Sequence, residues 1–211
     1  MKVSPDSAAD LIARLLKRRG VARVFALCGG HIMPIWMRLD AEGISIIDVR
    51  DERAAVHMAQ AHAELTGELG VALVTAGPGM TNAITGIANA YMDSIPLVCI
   101  TGQVPTHLIG NDAFQECDTV GITRPCTKHN WLVRNVNDLA KVLHEAFYVA
   151  TTGRPGPVVV DVPKDVQNWS GVFAGEGQLP IPGTSPTLRA SRATRPRSAK
   201  RWRCWLRPGV R

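Results

Sequence analysis

Residues 70–103 read GVALVTAGPGMTNAITGIANAYMDSIPLVCITGQ. Two short apolar runs, Gly70–Thr75 and Pro96–Thr101, flank a helix-length segment, Met80–Met92, and turn residues separate the three. Strand, helix and strand in that order make a parallel crossover unit, and the absence of polar alternation marks strands covered on both faces. The same pattern recurs on either side. Further strands are expected at Arg23–Leu27, Ile44–Asp48, Asn130–Arg134 and Pro157–Asp161, with helices at Met33–Asp40, Glu52–Leu65 and Asn137–Thr152. Near the start, Ser4-Pro5 is expected to cap a helix whose Ala8, Leu11, Ile12, Leu15 and Leu16 share one face and which ends at Gly20. The fold class that follows is α/β, an open parallel six-stranded sheet with helices on both faces.

Composition limits the function classes. With 211 residues, 45% hydrophobic content and a mean hydropathy of +0.02, the chain can bury one sizeable core. It contains no long apolar run, and its start, MKVSPDSAAD, lacks the apolar stretch of a secretory signal, so no membrane span and a cytoplasmic location are expected. Cys28, Cys99, Cys117, Cys126 and Cys204 are odd in number and lack metal spacing, which fits reduced thiols and no metal site.

The net charge of +6 is concentrated at one end. Residues 170–211 hold nine of the 24 Lys and Arg residues and one acid, Glu176, leaving 15 basic and 17 acidic residues before them. A basic nucleic-acid-binding domain is thereby excluded for residues 1–169, which form the expected folded domain. Residues 170–211, rich in Pro and Arg, are expected to be a disordered or out-of-frame tail. The alternative for that tail is an arm for nucleic acid or an anionic membrane, with Trp202 and Trp205 set among Arg201, Arg203 and Arg207.

An open α/β sheet binds ligands beyond the carboxyl ends of its strands. There the sequence places Cys28-Gly29-Gly30-His31, Val49-Arg50-Asp51-Glu52, Ala76-Gly77-Pro78-Gly79-Met80-Thr81-Asn82 and Gly102-Gln103-Val104-Pro105. None is a dinucleotide fingerprint or a P-loop. The Gly-Pro-Gly loop lets backbone approach a ligand, although tight turns alone also explain such glycines. Glu52, at a helix start, is by pattern alone an ordinary dipole-favouring carboxylate.

Residues 75–134, TAGPGMTNAITGIANAYMDSIPLVCITGQVPTHLIGNDAFQECDTVGITRPCTKHNWLVR, and residues 151–167, TTGRPGPVVVDVPKDVQ, closely resemble the acetolactate synthase family of thiamine-diphosphate-dependent enzymes. The similarity continues more loosely back to Met1. It implies a pyrimidine-binding domain, with thiamine diphosphate as cofactor and 2-keto acids as substrates for decarboxylation and carboligation. Arg50-Asp51-Glu52 matches the family's Arg-His-Glu, which makes Glu52 the catalytic carboxyl that hydrogen-bonds the aminopyrimidine ring. Gly77, Pro78 and Asn82 would face the cofactor, and Arg154, in Gly153-Arg154-Pro155, matches a flavin-contacting arginine. Gly29, Gly30, His31, Phe114 and Gln115 would border the substrate, and Lys128 the mouth of its channel. Complete members also use FAD and Mg2+; the Gly-Asp-Gly motif that ligates the metal is not in this sequence, so the chain is expected to be inactive alone. A homodimer through the pyrimidine-domain face and a regulatory small subunit are the implied partners.

Two positions depart from the family. His31 stands where alanine is usual, and Asp51 where histidine is usual. A Gly-Gly-His loop resembles benzaldehyde lyase-like and related branches, where the histidine can reach the substrate. That keeps a related carboligase, and a non-catalytic thiamine- or partner-binding module, open beside the synthase reading.

Overall fold

The computed structural model describes residues 6–171. Two residues at each end of this span, β1 (Asp6–Ser7) and β8 (Ser170–Gly171), pair antiparallel and tie the ends together. The expectation for residues 172–211 lies outside the described residues.

The first helix, α1 (Ala8–Arg18), corrects the expected cap. Ser7 closes it: its hydroxyl accepts from the Asp10 N–H at 3.2 Å while the Asp10 carboxylate accepts from the Ser7 N–H at 2.9 Å. This reciprocal pair satisfies two donors that a helix start leaves open. The expected stripe of Ala8, Leu11, Ile12, Leu15 and Leu16 is buried. Arg19 follows as the last cap, and Gly20 turns the chain at a φ of 81°.

The six anticipated strands form one all-parallel sheet. They are β2 (Arg23–Ala26), β3 (Ser45–Asp48), β4 (Gly70–Val74), β5 (Leu97–Gln103), β6 (His129–Leu132) and β7 (Pro157–Pro163), in the order β3-β2-β4-β5-β7-β6. The middle strands β4, β5 and β7 are buried at every residue, as unalternating apolar runs require. β3 and β6 lie at the edges and are only partly covered, so the both-faces rule holds for the centre alone.

Helices cover both faces. On one, α1, α2 (Met33–Leu39) and α6 (Val136–Thr151) pack on the sheet through Ile12, Leu16, Ile35, Leu139 and Phe147. On the other, α3 (Glu52–Thr66) and α4 (Pro78–Asp93) contribute Val56, Ala59, Met80, Ala83 and Ile87 to a second core. Removing one such fully buried side chain typically costs ~2–5 kcal/mol. Two short helices, α5 (Thr119–Thr123) and α7 (Lys164–Asn168), have no counterpart in the sequence reading.

The chain passes from β2 to β3 on one side and then to β4 on the other. Strand order therefore reverses at β2/β4, and the crevice at a parallel sheet's binding end opens there.

Candidate functional site

The loops after β2 and β4 meet at this crevice without room for side chains. A Cβ added at Gly29 would lie 2.4 Å from the Thr75 Cβ. At Gly77, whose φ is 51°, it would lie 2.3 Å from the Gln115 carbonyl oxygen. Only glycine satisfies both the contact and the dihedral.

Glu52 enters from β3. Asp51 caps α3, its carboxylate accepting from the Arg53 N–H at 2.8 Å, and the helix starts with Glu52 turned inward. Arg53 also grips Asp51 from the side, which lowers the Asp51 carboxyl to about 2. So the aspartate that replaces the family's histidine is a helix cap. Glu52 itself is 7% exposed, and its Oε2 accepts from the Asn82 Nδ2 at 2.9 Å. The helix dipole favours a carboxyl here.

The two residues meet because α3 and α4 touch closely. A Cβ at Gly86 would lie 2.7 Å from the Val56 Cβ, so the helices approach at that point and Asn82, one turn earlier, reaches across. The other oxygen, Oε1, faces Gly79, where an added Cβ would lie 3.2 Å away. Beside it stands Thr75, whose buried Oγ1 has no hydrogen-bond partner. Neutral polar groups left so are uncommon in folded cores and point to something that completes them.

His31 lies at the same end. Burial holds its imidazole below the usual histidine range, the Lys164 charge adds to this, and a hydrogen bond to the Gln115 side chain opposes it. Nδ1 is buried with no partner. Gln167, buried on α7, donates to the His31 carbonyl at 2.7 Å and to Val162 at 2.7 Å, which fixes the loop to the end of β7. Phe114 is 82% exposed beside Gln115. The fold therefore gathers Glu52, Asn82, Gly77, Pro78, Gly29, Gly30, His31, Phe114 and Gln115 around the carboxyl ends of the strands.

Lys128 and Arg154 stand at the other end of the sheet. The Lys128 backbone N–H pairs with Pro157, the first residue of β7, and its amine donates to the carbonyls of Val149 and Thr152, the latter at 2.7 Å. It closes α6. Arg154 donates to Ser94 Oγ at 2.6 Å and to the Met92 carbonyl at 3.2 Å, closing α4 at the end opposite Asn82. Sequence reading named Gln103 only as part of a strand-end loop and gave no role to Thr75, Asp161, Lys164 or Gln167. A signal was present in three of them: Thr75, Gln103 and Asp161 are polar residues inside or ending strand-like apolar runs.

A site at a doubly wound sheet's switch point, with an inward carboxyl between glycine loops, is that of a cofactor-binding α/β domain. The sequence profile of the thiamine pyrophosphate enzyme N-terminal TPP binding domain matches residues 6–122, and the chain belongs to this family. It is 58% identical to the acetolactate synthase isozyme 3 large subunit of Escherichia coli over 163 residues, which are 77% of this chain and 28% of that protein. It is 46% identical to the acetolactate synthase large subunit of Lactococcus lactis over 179 residues, 84% of this chain and 31% of that protein. The resemblance read from residues 75–134 and 151–167 is thus borne out. The chain spans less than a third of the length of these relatives. Among the described residues no helix is long and apolar enough to cross a membrane.

Proposed function

We propose that residues 1–169 form the aminopyrimidine-holding half of a thiamine-diphosphate site in an acetolactate synthase-type subunit. One observation carries this reading: a carboxyl 7% exposed, with Oε2 held by Asn82 and Oε1 turned toward a glycine. The residues present suit an aminopyrimidine: a buried carboxyl for a ring nitrogen and, beside it, a Thr75 hydroxyl without a partner. Gly29, Gly77 and Gly79 lack Cβ atoms, so Thr75 and Gln115 pack directly on these loops and bring them close to Glu52.

When bound, thiamine diphosphate supplies a thiazolium that accepts the electron pair released as a 2-keto acid loses carbon dioxide. Glu52 holds a proton at Oε1 and shares it with a ring nitrogen, acting as the general acid–base group. Asn82 fixes Oε2 and with it the side chain's orientation. Gly29, Gly30 and His31 border the reacting 2-keto acids, and Phe114 and Gln115 cover them from the neighbouring loop. Pyruvate as donor and pyruvate or 2-ketobutyrate as acceptor would give acetolactate or acetohydroxybutyrate in branched-chain amino-acid biosynthesis, in the cytoplasm.

Mg2+, the diphosphate contacts and most of the FAD site belong, in this proposal, to parts of the enzyme beyond residues 1–169. The channel role of Lys128 and the flavin role of Arg154 rest on family resemblance alone, since in this chain both heads serve helix ends. A second copy through the pyrimidine-domain face and a regulatory small subunit are the proposed partners. His31 favours a second reading, a carboligase of the benzaldehyde lyase-like branch, because its imidazole, held below the usual histidine range, lies on the loop that follows β2 at the carboxyl end of the sheet.

The test joins residues 1–169 to the remaining sequence of the Escherichia coli isozyme 3 subunit. Thiamine-dependent acetolactate formation is expected from the fusion, and none from residues 1–211 alone. In the fusion, His31→Ala should alter the ratio of products from competing keto acids and aldehydes more than cofactor affinity. An unchanged ratio removes the second reading. A folded fusion without thiamine-dependent turnover removes the first.

A further inference from the structure

The loop from Val104 to Asp118 carries Phe114 and Gln115 and is braced in two ways. Inside it, the Glu116 carboxylate accepts from the Ala113 N–H at 2.9 Å and from the Gly110 N–H, and these bonds hold its carboxyl below the usual range. At its base is Gln103, the last residue of β5, which is buried. Its Oε1 accepts from the Val104 N–H at 2.9 Å, so the amide cannot flip. Its Nε2 therefore faces two acceptors, the Cys117 carbonyl at 3.1 Å and Asp161 Oδ2 at 2.9 Å.

Asp161, on β7, is 1% exposed. Gln103 is the hydrogen-bond donor to one of its oxygens; the other, Oδ1, has no partner, and neither has the nearby Thr119 Oγ1. Thr119 is close enough to favour ionisation, yet no bond of proper geometry joins the two atoms. Burial dominates and pushes the carboxyl up to about 8, with Asp118 adding to the rise and Gln103 and Thr119 opposing it. The thiols of Cys99 on β5 and Cys117 on the loop face the same group, and both are pushed up.

We propose that Asp161, as a neutral acid, is a positioning residue that holds Gln103 and through it the Cys117 carbonyl, so setting where Phe114 and Gln115 stand beside the Glu52 loops. Protonated, Asp161 accepts from Gln103 at Oδ2 and has at Oδ1 a proton that a small rotation can offer to the nearby Thr119 Oγ1, the other atom left without a partner. Ionised, it is a buried charge with acceptors only, and the surroundings must open to water. The loop is the part that can move, since β5 and β7 pair along their whole lengths. Movement there displaces Gln115, which packs its backbone on Gly77. The consequence for substrate rests on the function proposed above; the clamp itself does not.

Amide hydrogen exchange on the 211-residue chain, read as protection factors for residues 110–119 against those of β4 and β5, tests it without cofactor or turnover. In the wild type the loop's protection should fall at least ~10-fold between pH 6.5 and 9, more than one unit's worth of titration, while the strands keep theirs. Asp161→Asn, which supplies an acceptor and a donor without charge, should keep the protection and abolish its pH dependence. Gln103→Leu should expose the loop at every pH with the strands still protected. It also covers the case in which Asp161→Asn fails to fold. Loop protection that is pH-independent in the wild type, or unchanged in Gln103→Leu, overturns the proposal and leaves the thiamine reading untouched.

Discussion

The two ends of the sheet use their polar side chains in opposite ways. At the amino end, Lys128 and Arg154 direct their donors at the last carbonyls of α6 and α4, and the groups there complete one another. At the carboxyl end, Glu52 has one oxygen bonded and one facing a glycine, while Thr75 Oγ1 and His31 Nδ1 are buried without partners. Folding alone explains the first end. The second carries unmet hydrogen-bonding capacity, which costs about 1–3 kcal/mol for each buried group and persists where a ligand completes it. Charge type therefore identifies a site less well than incomplete pairing does.

The largest effect should separate the ends by function. In the fusion with the Escherichia coli subunit, Glu52→Gln should lower turnover at least ~100-fold, about 2.7 kcal/mol, with an unchanged melting temperature. Turnover near wild type would dissolve the contrast.

A second test uses the buried acid beneath the carboxyl-end loops. Asp161 has a folded value of about 8 against an ordinary 3.8, so between these pH values the folded chain keeps a proton that the unfolded chain has released. Unfolding then gives up a proton, and stability falls as pH rises, by as much as about 1.4 kcal/mol per pH unit across that window. Denaturant midpoints at pH 5, 6 and 7 should show this slope in the wild type and a flatter one in Asp161→Asn. Parallel slopes would mean that Asp161 titrates normally.

Smaller effects belong to the amino end. Lys128→Ala should lower stability by about 1–2 kcal/mol through the freed α6 carbonyls. Arg154→Ala, at an exposed position, should lower it by no more than about 1 kcal/mol, as an exposed helix-end cation does. Neither should affect thiamine binding, which isothermal titration on the folded variants checks.

Much of the fold was legible because unbroken apolar runs such as Val71–Val74 and Val158–Val160 can only be central strands. The edge strands were harder to bound, since His129 is exposed, Trp131 is half-covered and neither follows an apolar run. Ser7 was passed over as a cap because Ser4-Pro5 offers the same cue three residues earlier; the Asp10 carboxylate decides between them in space. Glu52 was legible by motif, whereas its partner Asn82 depends on the α3–α4 approach at Gly86, a contact between residues thirty positions apart in sequence. Lys128 and Arg154 were singled out by family resemblance, and nothing in the sequence signals that both cations also close helix ends in this chain.

The measurement that bears most directly on the central claim is a titration of the 211-residue chain with thiamine diphosphate, read residue by residue through backbone amide shifts. With the diphosphate-binding part elsewhere, affinity should be no tighter than about millimolar, some 4 kcal/mol. Shifts should be confined to Gly29, Glu52 and residues 75–82, and should vanish in Glu52→Gln. Shifts centred on Arg154 and Lys128, or a response that survives Glu52→Gln unchanged, would contradict the assignment of the carboxyl end as the cofactor site.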